Sequence, residues 1–363
     1  MNTNLLSRKI TPDAEAFMDC INRKGTPKRV HYCELFLDTE IEDQLCSLYG
    51  LLDGISPDDP LFGVKRNVAV QRFMGYDYVR HGLDEFRFPL NWLPIEDTAD
   101  MKHEGGRTYM DEHKGPITNW EEFEKYPWPD PKKASLAGLE YLQKNLPDDM
   151  CIIGSGGFGH FCELLSWLLG YETLCYALYD ERDLVKAISD RLIQTYIEAI
   201  KLFLQFDRVK VTWGSDDMGF RSGTLISPDD LREFVLPGHK LMAEMSHAAD
   251  RPYFLHSCGN LESIMPDLLD DVKIDARHSF EDTIDTVIDV KKQHGDRLTI
   301  LGGIDVDFLC RADEQQLRKR VRETLEACHP GGGFCLGSGN SVTNYVPIEN
   351  YLIMMDEGRN FVP

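Results

Sequence analysis

Residues Phe254–Asn260 read FLHSCGN and set His256 and Cys258 two positions apart, where an apolar run gives way to a glycine turn. Imidazole nitrogen and thiolate sulfur are ligands that zinc prefers. Side chains two apart on a strand project to the same side. A third ligand from elsewhere would complete a catalytic type of site, in which three protein groups leave the fourth tetrahedral position open. Cys335, on a later strand, is one candidate. Glu34 is the other: it lies between Cys33 and Leu35 in an apolar run, where a carboxylate is costly to bury unless paired or bound to a metal. Structural zinc sites group their ligands as close pairs in small loops, which this spacing does not resemble. The plain alternative is packing, since Cys is a common core residue and His tolerates burial.

Other chemistry-bearing residues fall at similar places. Asp216 and Asp217 in WGSDDMGF close an apolar run and are candidate catalytic carboxylates; a turn pair with a helix cap is the bland reading. His278 in ARHSF reads as a core histidine or a substrate contact, and Asp305 ends LTILGGID. The run GSGGFG at 154–159 lacks the Lys-Ser/Thr of a phosphate-binding loop. Its glycines are expected to let backbone approach a ligand, with Gly156 and Phe158 beside it. Cys328 reads as structural.

These residues must be positioned by an alternating pattern that begins near residue 150. Short apolar runs CIIGSG, VKVTWGSDD, PYFLHSCGN, KIDARHSF, LTILGGID and GGFCLGSGN are separated by stretches with apolar residues at helical spacing. In SPDDLREF, Ser227 is a natural N-cap, Pro228 suits the first helical position, and Asp229 and Asp230 suit the first turn. Serial strand–helix units imply a parallel sheet with right-handed crossovers. Adding RVHYCELFL (29–37) and a strand near FMGYDYV (73–79) gives about eight, the number at which such a sheet closes as a (β/α)8 TIM barrel. Chemistry in that fold sits at the C-terminal strand ends. One domain is expected over 1–363, with an N-terminal extension 1–28 and an inserted segment, about 84–135, over one mouth.

The formal net charge of −22 opposes binding to a nucleic-acid backbone and suits a solvated surface or an acidic docking face. Ten scattered cysteines do not form a secreted disulfide framework. No window approaches the ~20 apolar residues of a membrane span, and MNTNLLSRKITPDAEAF does not read as a signal peptide. A cytoplasmic protein is expected, with a homo-oligomer as one option.

Taken together, ELLSWLLGYE (163–172), DDMGFRSGTLISPDDLREFVLP (216–237), HSCGNLESIMPDL (256–268), GGID (302–305) and VPIEN (346–350) resemble the uroporphyrinogen decarboxylase superfamily, and within it the zinc-dependent, corrinoid-linked methyltransferase branch. A weaker echo lies in KGTPKRVHYCELF (24–36). The resemblance implies a (β/α)8 barrel and zinc held by an H-x-C pair, here His256 and Cys258, with a later cysteine. Counting back from VPIEN, the family's late functional position falls on Asn340, where decarboxylases carry histidine and coenzyme M methyltransferases often carry their zinc cysteine. The nearest thiol is Cys335, which is expected to substitute, with Glu34 as the alternative. The decarboxylases' Arg-rich N-terminal motif is absent. The resemblance implies methyl transfer between a small methylated compound, such as an O-methyl donor, and a corrinoid on a partner protein. The rival readings are a decarboxylase of a small or tetrapyrrole acid, and a non-catalytic module that binds zinc or a corrinoid protein.

Overall fold

The computed structural model describes residues 5–99, 101–103 and 106–362. Its strands are β1 (Tyr78–His81), β2 (Trp92–Ile95), β3 (Arg107–Met110), β4 (Cys151–Gly154), β5 (Val209–Ser215), β6 (Gly219–Phe220), β7 (Gly223–Thr224), β8 (Tyr253–His256), β9 (Ala276–His278), β10 (Thr299–Leu301) and β11 (Phe334–Cys335). Seven of them form one curled sheet in the order β1-β4-β5-β8-β9-β10-β11, and every pairing in it is parallel. Their side chains are largely buried, as expected of a parallel sheet covered on both faces.

The expected first strand is not a ladder strand. Residues 31–37 join the edge of β11 only through isolated parallel bridges, Tyr32 to Leu336 and Leu37 to Val342. The strand anticipated at 73–79 falls instead at 78–81, because Phe62–Met74 is helical and ends on Gly75 in a left-handed conformation. Between residues 31–37 and β1, no backbone pairing occurs among the described residues, and side chains hold the seam. The fully buried Asp77 carboxylate pairs with Arg29, contacts His31 Nδ1 at 2.7 Å and accepts from Asp13 N at 2.7 Å. The result is a half-barrel of seven laddered strands with an eighth segment bridged to its edge.

Helices pack on the outer face as their apolar spacing requires. The longest, Arg182–Phe203, buries Leu184, Ile188, Leu192, Tyr196 and Phe203 on one side. The Ser227 side chain accepts from Asp230 N, as read from the sequence, and Asp313 with Gln316 forms a capping box at the helix Glu314–Cys328. LESIMPDLLDD departs from a regular α-helix, forming a 3-10 turn at Glu262–Ile264 and a π-helical turn at Asp267–Val272. At the floor, the helix Ala14–Ile21 lies against the start of β11, with Gly333 N donating to Cys20 O at 2.7 Å. At the opposite, C-terminal mouth, the β2–β3 hairpin is fastened by Arg107, which donates to Asp38 and Asn344.

Because Asp77 carries the seam, Asp77→Ala leaves a buried imidazole and a partly exposed guanidinium without their partner. Urea unfolding should show a loss of ~3–5 kcal/mol. A change below ~1 kcal/mol would mean that the seam is held by apolar packing instead.

Candidate metal centre

Three neighbouring strands end in register: Ser215 of β5 pairs with His256 of β8, and His256 pairs with His278 of β9. The residues just beyond these ends therefore meet at the mouth. Asp217 follows β5, Cys258 follows β8, Ser279 follows β9, and Asn340 arrives from the loop after β11. The turn after Cys258 requires glycine. Gly259 has φ +84°, and an added Cβ would lie 2.2 Å from the Gly219 backbone.

His256 Nε2 lies 3.5 Å from Cys258 Sγ and 3.3 Å from Asp217 Oδ1. All three donor atoms fall within 4.8 Å of one another. Cys258 N donates to Asp217 Oδ1 at 2.8 Å, while the thiol receives Asn340 Nδ2 at 3.1 Å and Ser279 Oγ at 3.5 Å. Burial pushes the Cys258 thiol up, and the Asp217 carboxylate adds to the effect against Ser279 and Asn340. Burial would raise Asp217 too, but hydrogen bonds from His256 and the Cys258 amide hold it at about 2. A carboxylate is thus fixed beside a thiol that needs a neighbouring cation to ionise. Nitrogen, sulfur and oxygen donors converging in this way fit a divalent metal, and zinc in particular.

The other face of the His256 ring is also arranged. His256 Nδ1 lies 2.8 Å from His278 Nδ1. His278 is fully buried at the edge of the Trp213 ring, 5.6 Å between centroids. Burial, with the nearby His256 and Arg80, pushes the His278 imidazole well below its ordinary value, so it is neutral. When His256 Nε2 serves as ligand, the proton sits on Nδ1 and is donated to His278 Nδ1, which fixes tautomer and ring plane.

The remaining sequence candidates are distributed as follows. Asp216, expected to be catalytic, points the other way: its carboxylate accepts from Cys162 N and Glu163 N at 2.9 Å each and lies 2.9 Å from His239 Nε2. It anchors the helix Cys162–Leu169 and is not at the centre. Cys335 does not reach His256 and Cys258. β11 is two residues long, and its thiol faces Cys20 and Cys33 toward the floor, fully buried. Glu34 is likewise outside the cluster, with its oxygens receiving Ser338 N at 2.7 Å and Ser338 Oγ at 2.5 Å. Phe158 packs its ring against Tyr196 and Phe203, so only its carbonyl, which accepts from Ser215 N, faces the strand ends. Gly156 turns at φ +91° beside Gly82. Asp305 caps the helix Val306–Arg311 and, with Asn340, Phe280 and Tyr345, lines a cavity of about 1000 Å³.

Sequence reading passed over three residues. Ser279 gave no signal. His160 and Glu163 pair at 2.6 Å just beyond the glycine loop, and their i, i+3 spacing at a helix start was the available cue.

This fold and this site define an α/β half-barrel protein with a His–Cys–Asp centre at the C-terminal ends of its strands. The chain belongs to the uroporphyrinogen decarboxylase (URO-D) family, whose sequence pattern matches residues 78–361. It is 33% identical over 130 residues to a methylated-thiol–coenzyme M methyltransferase of Methanosarcina mazei, a stretch covering 36% of this chain and 32% of that relative. The chain thus aligns with about a third of the length of that curated protein. A solved methyltransferase from Methanosarcina mazei superposes with a TM-score of 0.68 at 17% identity, covering 96% of this chain and 98% of the other, which establishes the shared fold.

Burial raises the Glu34 carboxyl to about 8, against the lowering effect of its Ser338 hydrogen bonds. The folded state therefore holds a proton that the unfolded chain, with an ordinary value near 4.5, has released. More protons bound in the folded state means that stability falls as pH rises through this window. The stability of Glu34→Gln relative to wild type should accordingly rise between about pH 5 and 8 and level off above, in urea titrations at stepped pH. A flat difference would show that Glu34 is ionised throughout.

Proposed function

We propose that the protein is a zinc-dependent methyltransferase that moves a methyl group between a small methylated compound, such as an O-methyl donor, and a corrinoid carried by a partner protein. The observation that supports this most directly is the convergence of His256 Nε2, Cys258 Sγ and Asp217 Oδ1 in a chain similar to the two Methanosarcina mazei methyltransferases described above. In this reading the chain is a single-domain (β/α)8 barrel, and residues 84–135 are an insertion over its mouth. Asp217 takes the ligand place first assigned to Cys335 or Glu34.

When bound, zinc supplies Lewis acidity at its open position. His256, Cys258 and Asp217 hold it there, and His278 keeps Nε2 aimed at the mouth. The Asn340 amide donates to the Cys258 sulfur, spreading its negative charge and leaving more positive charge for the ligand at the open position. Zinc held there would ease departure of the heteroatom, which would leave the methyl carbon, taking the bonding electron pair with it, and gain a proton from solvent. A reduced corrinoid on the partner would supply the electron pair that the methyl carbon accepts. The protein's acidic balance, −22, suits docking to a basic face of the partner.

The family takes its name from a decarboxylase, and that chemistry remains the rival reading. The two are separated by metal content. Wild-type protein should contain one zinc per chain, lost in His256→Ala and Cys258→Ala and kept in Cys335→Ala and Glu34→Gln. His278→Ala should weaken zinc affinity roughly 10–100-fold without removing a ligand. Metal-free wild type after loading with zinc would sink the methyltransferase reading and promote the decarboxylase.

A further inference from the structure

β1 brings a cation to the same face of the sheet that carries the metal centre. Arg80 pairs with Ile153 across β1 and β4, and its guanidinium carbon lies 4.7 Å from the centre of the Trp213 ring. Trp213 meets His278 at 5.6 Å between centroids, and His278 Nδ1 lies 2.8 Å from His256 Nδ1. Arg80 and His256 are therefore joined through two packed rings. Arg80 Nη2 donates to Ser155 Oγ at 2.5 Å. Ser155 comes this close because β1 and the loop after β4 meet backbone to backbone: a Cβ on Gly82 would lie 2.7 Å from Ser155 O.

What the guanidinium lacks is a counter-ion. Among the described residues no carboxylate pairs with it, and the groups whose charge would reach it are Tyr78 and Cys33. Burial keeps both protonated, Cys33 at about 12 and Tyr78 well above its ordinary value. Burial also lowers Arg80 itself to about 10, which leaves it charged at neutral pH. Its Nε is enclosed without an acceptor, and Nη1 has none among the described residues. Arg80 is nevertheless partly exposed, so the unfilled edge of its fork is open to a small ligand. An enclosed charge with no partner is costly to keep. The group that matches a guanidinium fork best is a planar carboxylate.

We propose that Arg80 forms an anion subsite, which takes the carboxylate of a small substrate whose opposite end reaches the His256–Cys258–Asp217 centre. It rests on the methyl-transfer reading only for what that opposite end carries, an O-methyl group. Zinc content tests that reading and ligand titration tests the subsite, so either can fail alone. The full chain, loaded with zinc, is titrated calorimetrically with 3-methoxypropionate and with its neutral amide, 3-methoxypropanamide. The acid should bind saturably and about tenfold tighter than the amide. Arg80→Met should erase that preference. It should also unfold at the urea concentration of wild type or above, because it removes a charge that nothing in the chain balances. Arg80→Lys, which keeps the charge without the fork, should reduce the preference and carries the test if Arg80→Met does not fold. Cys258→Ala, which loses the metal, should still prefer the acid. The inference is overturned if acid and amide bind alike, or if the preference survives Arg80→Met or is undiminished in Arg80→Lys. It is also overturned if the preference disappears in Cys258→Ala, which would put the carboxylate on the metal.

Discussion

Parallel strands that end in register place the residues immediately past their ends in one row, and the centre depends on that constraint. The alignment of Ser215, His256 and His278 across β5, β8 and β9 brings a carboxylate, an imidazole, a thiol and a second imidazole together without any long loop. The backbone ladder supplies this placement before any side chain is chosen. What the side chains add is direction: His278 turns His256, Gly259 permits the tight turn after Cys258, and Asp216 pins the strand end so that Asp217 can face the mouth.

Asp216 and Asp217 show how consecutive residues of one type come to separate tasks. One carboxylate is wholly enclosed and satisfied by two backbone amides and His239. The other, one residue on, is shared between an imidazole and the Cys258 amide, where a cation can join it. Their environments, and not their identities, divide anchoring from a place in the His–Cys–Asp cluster. The same anchoring carboxylate holds the helix Cys162–Leu169 to the strand end that carries Asp217.

Much of this was legible beforehand. The serial apolar runs announced the parallel sheet, and the H-x-C spacing announced that His256 and Cys258 would come together at one mouth. The cluster contains Asp217 and neither Cys335 nor Glu34, because sequence shows which residues are near a strand end but not where their side chains turn. Cys335 shares the row of His256 and His278 through Leu301, but its thiol hydrogen-bonds to Cys20. Glu34 is likewise outside: residues 31–37 are bridged to their neighbour at Tyr32 and Leu37, and the carboxyl finds Ser338 within reach. The DD pair could not be divided without knowing which helix lay behind it. His160 escaped notice because a histidine after a glycine loop has no distinctive pattern until its aromatic surroundings are assembled in space.

The seam beside β11 also has a consequence for the order of assembly. Glu34 and Ser338, which meet there, are 304 residues apart in the chain. Loop-closure entropy weighs most on such distant pairs. Residues 31–37 have no edge to join until residues 336–342 have been made, whereas β4, β5 and β8 can associate much earlier. The nascent chain therefore exposes sheet edges still to be covered, and chaperone engagement during synthesis would fall on those edges until residues 31–37 are seated.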